Sequence, residues 1–474
     1  MSIATWVVLG AWAATVATGC RGKVAAQGGA ESATARVTDA ATGDLAPSPE
    51  AGETTVGRGP DRADGAAEGD VVPPAAEAGV AEVAEPPGWP TSEPCRQSAR
   101  KVFADYAKPM SVAPTPPGPV PGLTTTTALA MDEGWNTCVV TPEGAAVCWG
   151  ATIGGLLRED PENHDIPVAD PENRGRPMLV AGFAGLVSIL PSGAPHACGL
   201  RGDGTVGCFG LNRDGQLGRP AFEPTWSDVP LAIEGLPAVL SLAVGHAFAC
   251  ALVEGGGVLC WGRNESGQLG DGTRASRPTP AAVPGLGGAK AIAAGREQAC
   301  ALLSDGTVRC WGDMLATRCL DPFVSPTPVP ELAGVIELSV GWDLGCAVLG
   351  GGGVRCWGDG EGGQLGNGEL ARSFLPVAVA GIEDAAAVEA GDGVACALRR
   401  DGTVACWGKN QCGQVDGGAS GKVYVAEPAA VPGVSDVVEL AVGGMQTCAR
   451  RKDGAVLCWG ATTPPQFSAC LLAW

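Results

Sequence analysis

The sequence predicts an all-β protein built from seven copies of one short unit. Of its 474 residues, 73 are glycine and 38 are proline, a composition that favours turns over helices. The tripeptide Cys-Trp-Gly, replaced once by Cys-Phe-Gly, occurs seven times at intervals of 46 to 60 residues. A second cysteine precedes each copy by ten residues, which gives seven cysteine pairs at one fixed spacing.

Each cysteine pair is predicted to lie across a β-hairpin. In the clearest copy, apolar residues flank Ser304-Asp305-Gly306, and a glycine stands six residues after the first cysteine in all seven copies. A three-residue hairpin loop ends in a left-handed residue, where glycine has no steric cost. Counting outward from this loop places Cys300 opposite Cys310. The predicted hairpins span residues 138–148, 198–208, 250–260, 300–310, 346–356, 396–406 and 448–458.

The cysteine pairs allow three interpretations: metal ligands, a redox centre or structural disulfides. Zinc ligands usually stand two to four residues apart, and only three histidines are present. Redox catalysis lacks a Cys-x-x-Cys motif. Disulfides agree with the hairpin register and with an oxidising compartment. The predicted bonds are Cys138–Cys148, Cys198–Cys208, Cys250–Cys260, Cys300–Cys310, Cys346–Cys356, Cys396–Cys406 and Cys448–Cys458.

The repeat resembles the regulator of chromosome condensation repeat family. The shared motifs are Gly-x-x-x-x-Cys-Ala-Leu, Asp-Gly-x-Val-x-Cys-Trp-Gly and Asn-x-x-Gly-Gln-Leu-Gly, almost complete between Gly245 and Gly270. The resemblance covers about residues 115–474 and implies a β-propeller of seven blades, which we place at residues 95–474. It also implies varied roles: nucleotide exchange on a small GTPase, inhibition of a secreted β-lactamase, or assembly. The paired cysteines depart from the intracellular members and agree with an exported relative.

The phase of the repeat predicts how the ring closes. The segment 119–123 resembles the outer-strand piece of other copies, so we expect it to complete the last blade. Cys95 and Cys470 lie just outside the two ends of the ring and are a candidate disulfide. Cys319 and Cys412 stand in loops after the fourth and sixth Cys-Trp-Gly and are a second candidate pair.

The N-terminal residues predict export. Residues 3–16 are apolar and uncharged, too short for a comfortable membrane span but long enough for a signal segment. The following Ala-Thr-Gly-Cys20 resembles the bacterial lipoprotein box, which implies lipidation of Cys20, with residues 1–20 as signal. Arg21 is not the aspartate of an inner-membrane retention signal, so the outer membrane is favoured. An ordinary cleaved signal and a misassigned start codon are the alternatives.

Residues 21–94 are predicted to be a disordered linker. They consist of Ala, Gly, Pro and acidic residues with almost no large apolar side chains, so they cannot bury enough surface to offset the ordering entropy. A flexible chain of this length reaches about 50 Å.

The charge balance limits the partners. Thirty-one basic and 51 acidic residues give a net charge of −20, which argues against a nucleic-acid binder. We expect a protein or surface polymer as the partner, contact with the membrane through the lipid anchor, a monomer, and no cofactor, metal or catalytic constellation. The six tryptophans that follow the second cysteines are expected to pack between sheets. His196 is expected to make a structural hydrogen bond.

Two irregular loops are candidates for partner contact. The insertion at residues 156–178 contains Asp160, Asn163, Asp170 and Asn173, whose oxygens also suit calcium, although a solvated variable loop is the favoured explanation. The extension at residues 219–226 is expected to place Phe222 and Trp226 in a loop, where exposed aromatics favour an interface.

The sequence thus predicts an exported, membrane-anchored β-propeller of the cell envelope, an outer-membrane lipoprotein or a secreted protein, that acts as a protein-binding platform. One alternative is an exported glycosidase or lyase that uses the central funnel, and another is a secreted enzyme inhibitor. A deep funnel with carboxylates and aromatics would favour the enzyme, and a face with loop aromatics would favour binding. Whether the protein is an enzyme stays open, with a non-enzymatic role favoured.

Overall fold

Seven four-stranded antiparallel sheets follow one another along the chain and form the blades of a β-propeller. The computed structural model describes residues 113–132, 136–150, 177–220, 222–314 and 322–462. Within these ranges the protein is all β apart from a 3-10 turn at Glu254–Gly256. The predicted seven-bladed fold is confirmed.

Each of the first six blades takes four strands in chain order. Blade 1 has β2 (Ala128–Met131), β3 (Asn136–Val140), β4 (Ala146–Gly150) and β5 (Met178–Val180). Blade 2 has β6 (Leu186–Pro191), β7 (His196–Arg201), β8 (Val206–Leu211) and β9 (Trp226–Ala232). Blade 3 has β10 (Val239–Gly245), β11 (Phe248–Val253), β12 (Val258–Gly262) and β13 (Arg277–Ala282).

The later blades repeat the arrangement, and blade 7 takes its outer strand from the beginning of the described chain. Blade 4 has β14 (Ala289–Ala294), β15 (Gln298–Leu303), β16 (Val308–Gly312) and β17 (Phe323–Pro328). Blade 5 has β18 (Val335–Val340), β19 (Leu344–Leu349), β20 (Val354–Gly358) and β21 (Ser373–Ala378). Blade 6 has β22 (Ala385–Ala390), β23 (Val394–Arg399), β24 (Val404–Lys409) and β25 (Tyr424–Ala430). Blade 7 has β26 (Val437–Val442), β27 (Gln446–Arg451), β28 (Val456–Gly460) and β1 (Thr115–Pro119).

The two middle strands of every blade form the predicted hairpin. In blade 4 the N–H of Gly306 donates to the carbonyl of Leu303 at 3.0 Å, and Gly306 has φ +79°. The glycines at this position in all seven hairpins have positive φ, as the loop requires. Cys300 lies directly opposite Cys310, so the predicted register is confirmed.

A disulfide spans each of the seven hairpins. The sulfur atoms are 2.04–2.15 Å apart and the Cα atoms 4.0–4.1 Å apart. All fourteen cysteines are buried in the cores between the blades. Each bond therefore fixes the two strands that carry most of the buried apolar surface of its blade.

The ring closes through β1, which pairs antiparallel with β28. Gly118 lies opposite Cys458, and the N–H of Val120 donates to the carbonyl of Val456 at 3.1 Å. A second link joins blade 7 to blade 1, because the Thr126 hydroxyl donates to the carbonyl of Gly454 at 3.0 Å. The prediction that an N-terminal strand completes the last blade is confirmed.

Tryptophan side chains connect neighbouring blades. The Trp311 indole N–H of blade 4 donates to the carbonyl of Gln268, in the Gly-Gln-Leu-Gly loop of blade 3, at 2.9 Å. The same bond, at 2.9–3.1 Å, joins Trp261 to Gln216, Trp407 to Gln364 and Trp459 to Gln414. All six tryptophans that follow the second cysteines are buried, which confirms their predicted packing role.

Glycines let the blades approach closely around the axis. A Cβ on Gly295 would overlap the carbonyl oxygen of Gly341, and a Cβ on Gly341 would overlap that of Gly391. This close approach explains the glycine five residues before the first cysteine of most repeats. The first strands of the seven blades surround a central cavity of about 160 Å³.

Candidate functional site

One face of the disc carries the turns that join the first and second strands of the blades. The first strands surround the axis, so these turns form a ring around the mouth of the cavity. The residue after each Cys-Trp-Gly joins this ring: the N–H of Asp359, for example, donates to the carbonyl of Asp343 at 2.8 Å. We call this ring the axial rim; its described members are Ala194, Pro195, Leu211, His246, Ala247, Arg263, Arg296, Glu297, Asp313, Trp342, Asp343, Asp359, Asp392, Gly393, Lys409, Gly444, Met445 and Ala461.

The axial rim is chemically asymmetric. Its described charged residues come from blades 3 to 6, whereas blades 2 and 7 contribute Ala, Pro, Leu, Gly and Met. The repeat thus supplies one backbone geometry in blades 2 to 7, and the side chains placed on it differ from blade to blade. Such variation on a fixed scaffold is typical of recognition surfaces.

A cation and an aromatic ring meet at the centre of the charged half. The Arg296 guanidinium carbon of blade 4 lies 4.1 Å from the centroid of the Trp342 ring of blade 5, a cation–π contact. The Gln298 amide group fixes the Trp342 turn by donating to the carbonyls of Gly341 and Trp342 at 3.1 and 3.2 Å. Both members of the pair are half-buried, so part of each remains accessible at the surface.

Ion pairs extend from this contact along the rim. Arg263 of blade 3 pairs with Glu265 and lies 3.9 Å from Glu297 of blade 4. In blade 6 the Lys409 ammonium lies 3.6 Å from Asp392. Pairs this close to solvent contribute about 0–1 kcal/mol each to stability. Their main effect is to hold the side chains of the rim in defined positions.

Asp343 is a rim residue whose carboxyl group resists ionisation. Burial raises the pKa of Asp343 to about 7, and repulsion from Asp359, Asp392 and Asp313 adds to the effect, while Arg296 opposes it. Within the described residues its carboxylate makes neither a hydrogen bond nor an ion pair. Asp343 is therefore partly protonated at neutral pH and next to the Arg296–Trp342 contact.

His196 lies below the rim and does not make the predicted hydrogen bond. It is fully buried, and neither ring nitrogen has a partner in the part of the chain that the structure describes. Burial, with His246 adding to it, lowers the pKa of His196 to about 3, so the ring is neutral. The equivalent Gln298 bonds to a carbonyl of the next blade, but here the Ser192 hydroxyl already donates to Gly245 at 2.9 Å.

The central cavity has no aromatic side chain among its described lining residues. Its carboxylates are held by neighbours: Glu439 pairs with Arg450 at 2.6 Å, and Glu389 accepts from the Ser339 hydroxyl at 3.0 Å. Burial raises the pKa of Glu439, although the Arg450 charge opposes the effect. Among the residues the structure describes, no cluster of three His, Cys, Asp or Glu side chains suits a metal ion.

The two predicted partner aromatics lie outside the axial rim. Phe222 is 43% exposed in the loop between β8 and β9, where its carbonyl accepts from the Asn212 amide at 3.1 Å. Trp226 is the first residue of β9 and half-buried, so the prediction that it lies in the loop is wrong. Its pairing with Leu211 extends the edge of blade 2 by one residue.

Several predicted residues lie outside the described residues and stay predictions. They are Cys20, Cys95, Asp160, Asn163, Asp170, Asn173, Cys319 and Cys470. Cys412 is described: it is buried and takes part in a disulfide. The other fourteen described cysteines bond one another, so the partner of Cys412 lies outside the described ranges. In the same ranges, no helix reaches the length and apolar character needed to cross a membrane.

The axial rim could not be recognised from the constant residues of the repeat, because its side chains differ from copy to copy. The position that indicates the rim is the residue after the repeated glycine, which changes from His246 to Arg296, Trp342 and Asp392 in successive blades. Comparing the copies position by position would have shown that charge and an aromatic concentrate there.

This ring of seven blades, each with a disulfide across its hairpin, defines the protein as a β-propeller, a common protein-interaction fold. Part of the chain matches the description of the regulator of chromosome condensation (RCC1) repeat. The family description matches residues 203–252, 255–302 and 351–398, and a second description of the same repeat matches residues 239–268 and 385–414. The chain is therefore a seven-bladed β-propeller that contains RCC1 repeats.

Known relatives share the repeat over part of their length. The chain is 28% identical over 157 residues to the mitochondrial RCC1 domain-containing protein RUG3 of Arabidopsis thaliana, which is 32% of this chain and 33% of that protein. It is 30% identical over 143 residues to the human E3 ubiquitin-protein ligase HERC2, 29% of this chain and 3% of that protein. The chain thus spans a third or less of the length of these relatives.

The solved structures show the fold. The crystal structure of Prp20p from Saccharomyces cerevisiae, which was described together with its binding to Gsp1p and histones, superposes with a TM-score of 0.54. The match is 17% identical and covers 75% of this chain and 93% of Prp20p. At this identity the likeness concerns the architecture alone.

Proposed function

We propose that this chain is an exported propeller, anchored to a membrane through lipid on Cys20, that binds a partner protein with the charged half of its axial rim. The observation that carries the proposal is the Arg296–Trp342 contact, held at the surface of a rigid disc beside Asp343. Tryptophan and arginine dominate binding hot spots, and a pre-ordered pair loses little entropy when a partner docks.

Oxidised cysteines support export. Seven hairpin disulfides are typical of proteins that mature outside the reducing cytosol. The apolar residues 3–16 and the lipobox-like cysteine supply the matching route and anchor. Incorporation of radioactive palmitate into the wild-type chain, and its loss in Cys20→Ser, tests the anchor. Equal labelling of both forms would contradict it.

The site favours binding over glycoside or lyase chemistry. The described cavity lining lacks the aromatic platform expected for a sugar, and Glu439 is held by Arg450. The aromatic and cationic groups stand on the rim. Prp20p gives a precedent for protein partners on a propeller of this fold. A secreted or periplasmic enzyme, inhibited on binding, is one form that the partner can take.

The test is cross-linking of the full-length protein in intact cells, followed by mass spectrometry and affinity measurement with the recovered partner. We expect Arg296→Ala and Trp342→Ala each to weaken binding at least tenfold, as hot-spot residues do. Matched controls are Arg400→Ala, an exposed arginine on the opposite face, and Phe222→Ala, an exposed aromatic outside the rim. Both controls should bind like the wild type.

Two outcomes would contradict the proposal. One is equal affinity of the rim variants and the controls for the recovered protein. The other is reproducible recovery of glycans alone, which would favour the enzymatic alternative.

A further inference from the structure

The interface between blades 5 and 6, which we call the seam, contains a buried carboxyl group that has no role in the propeller repeat. The Glu337 side chain, on the innermost strand of blade 5, is completely buried. One carboxyl oxygen, Oε2, accepts from the N–H of Val388 on β22 of blade 6 at 2.7 Å. The other oxygen, Oε1, has no hydrogen-bond partner in the described structure. A buried carboxylate with one unpaired oxygen is costly when it is ionised.

A second contact crosses the same seam one pleat further along. The N–H of Ala390 donates to the Ser339 hydroxyl oxygen at 3.0 Å, and that hydroxyl donates to the Glu389 carboxylate at 3.0 Å. Glu337 and Ser339 therefore bind two alternate amides of β22, those of Val388 and Ala390. Each is a side chain of blade 5 that replaces the backbone pairing missing between adjacent blades.

Among the described residues, the charged side chain that acts on Glu337 is acidic. Its partner strand β19 has no charged residue, and on β22 the charged residue is Glu389, whose carboxylate repels that of Glu337. On the flanking strands, Lys290 of β14 is exposed and Arg399 of β23 pairs with Asp384. Burial, together with Glu389, raises the pKa of Glu337 to about 8.

We infer that Glu337 is a proton-dependent latch: as a neutral acid it closes the seam between blades 5 and 6, and loss of its proton loosens the seam. The inference does not depend on the proposed binding function. Glu337 releases its proton to solvent, and the resulting carboxylate faces Glu389 without a counter-charge from the described residues.

The latch lies directly beneath the axial rim. Strand β18 continues into the turn of Trp342 and Asp343, and β22 continues into the turn of Asp392. The spacing of the two strands therefore sets the spacing of these rim residues. Loosening the seam therefore changes the spacing of the charged rim residues without any substitution on the rim.

The sign of the pH dependence follows from the direction of the pKa change. A carboxyl whose pKa is higher in the folded state binds more protons there than in the unfolded chain between about pH 4.5 and 8. Its contribution to stability is present at low pH and is lost as the pH rises through this window.

The test compares thermal unfolding of the full chain and of Glu337→Gln between pH 5 and 8.5. Glutamine keeps the acceptor for Val388 and imitates the neutral acid. We expect the difference in Tm, variant minus wild type, to increase by about 2 °C or more across this range. The matched control is Glu383→Gln, which removes the same charge from an exposed position before β22 and should give a constant difference. A constant or decreasing difference for Glu337→Gln would overturn the latch.

A second measurement needs no variant, so it decides the question even if Glu337→Gln does not fold. In wild-type protein labelled with ¹³C at the glutamate side-chain carboxyl, the signal assigned to Glu337 should titrate with a midpoint above pH 7. A Glu337 midpoint below pH 6 would overturn the proposal. Failure of the rim variants to affect binding would leave both measurements unchanged, so the two proposals are tested separately.

Discussion

The indole N–H of Trp311 in blade 4 donates to the main-chain oxygen of Gln268 in blade 3 at 2.9 Å. The bond links β16, the third strand of blade 4, to the loop that follows β12 in blade 3. Because the acceptor is a backbone atom, the bond fixes the path of the loop whatever side chain stands at residue 268. Gly270 of the same loop lies against the Trp311 ring, where a Cβ would come within 2.7 Å of Cδ1.

Removing this donor should destabilise the seam between blades 3 and 4. Trp311→Phe keeps most of the ring but leaves a buried carbonyl without its partner, and we expect a loss of about 1 kcal/mol in the free energy of unfolding. Trp311→Ala also creates a cavity, and a loss of about 3–5 kcal/mol is expected. Guanidinium unfolding measures both. A Trp311→Phe protein as stable as the wild type would show that the N–H bond contributes nothing.

Gly295 should tolerate no side chain. A Cβ there would overlap the Gly341 carbonyl oxygen, so Gly295→Ala must push blades 4 and 5 apart. We expect it to cost about 1–3 kcal/mol, the range for overpacked interiors. Gly287→Ala is the matched control, since no atom lies within 4 Å of its Cβ position and its φ is not positive. Urea unfolding should place the control within about 0.5 kcal/mol of the wild type, and equal losses in both variants would contradict the close-approach argument.

The hairpin disulfides should resist thiol reagents and contribute to stability. Cys300→Ala combined with Cys310→Ala opens a loop of eleven residues, for which the chain-entropy estimate is about 3 kcal/mol. Denaturant unfolding of this double variant measures the loss. In native wild-type protein, titration with a thiol reagent before reduction should detect none of the fourteen hairpin cysteines. Detection of most of them as free thiols would exclude the disulfides.

The raised pKa of Asp343 predicts a second contribution to the pH dependence of stability. Its pKa is raised to about 7, so its contribution to stability is present below about pH 4 and is lost as the pH rises to 7. Asp343→Asn should therefore gain stability relative to the wild type over this range, by no more than about 4 kcal/mol. Thermal unfolding at pH 4.5, 6 and 7.5 measures the gain.

Asp203 is the control for this experiment. Hydrogen bonds from Thr205 lower the pKa of the exposed Asp203, so Asp203→Asn should show no such gain between pH 4.5 and 7.5. If the advantage of Asp343→Asn over the wild type is the same at all three pH values, the assignment of the shift to Asp343 is wrong.

The ion pair of Glu439 and Arg450 predicts that substitutions of the two residues have non-additive effects on the free energy of unfolding. Arg450→Met leaves the buried Glu439 carboxylate without its partner and should cost about 3–5 kcal/mol. Adding Glu439→Leu removes the stranded charge and should recover most of the loss. Chemical unfolding of both single variants and the double variant gives the coupling energy. Additive losses would mean that the two side chains act independently.

The fold could be predicted from the sequence because its determinants are local and repeated. The hairpin register depends on the loop glycine and on alternation over eleven residues, so Cys300 and Cys310 were placed correctly by counting alone. Ring closure followed from the phase of one segment relative to the other copies. The fixed tryptophans were recognisable because packing between sheets recurs with every blade.

The candidate site could not be predicted in the same way. Arg296 and Trp342 belong to different blades and are 46 residues apart in the chain, so their contact depends on how two blades approach each other. In the sequence, Glu337 cannot be distinguished from an exposed strand residue, because its burial depends on the neighbouring blade. Trp226 was placed in the loop because the extension at residues 219–226 has no counterpart in the other copies, whereas β9 already begins at Trp226. For the Arg296–Trp342 contact and for Glu337 the deciding interaction lies between blades, where the repeat pattern carries no information.

The pairing of β1 with β28 imposes an order on biosynthesis. Pro119 in β1 precedes the other described strands along the chain, whereas its partner Leu457 lies in β28, which follows them. Strand β1 therefore has an unpaired edge until β28 has been made, while blades 1 to 6 can form from strands that are consecutive in the chain. A quality-control protease or chaperone that recognises this edge would distinguish finished molecules from truncated ones.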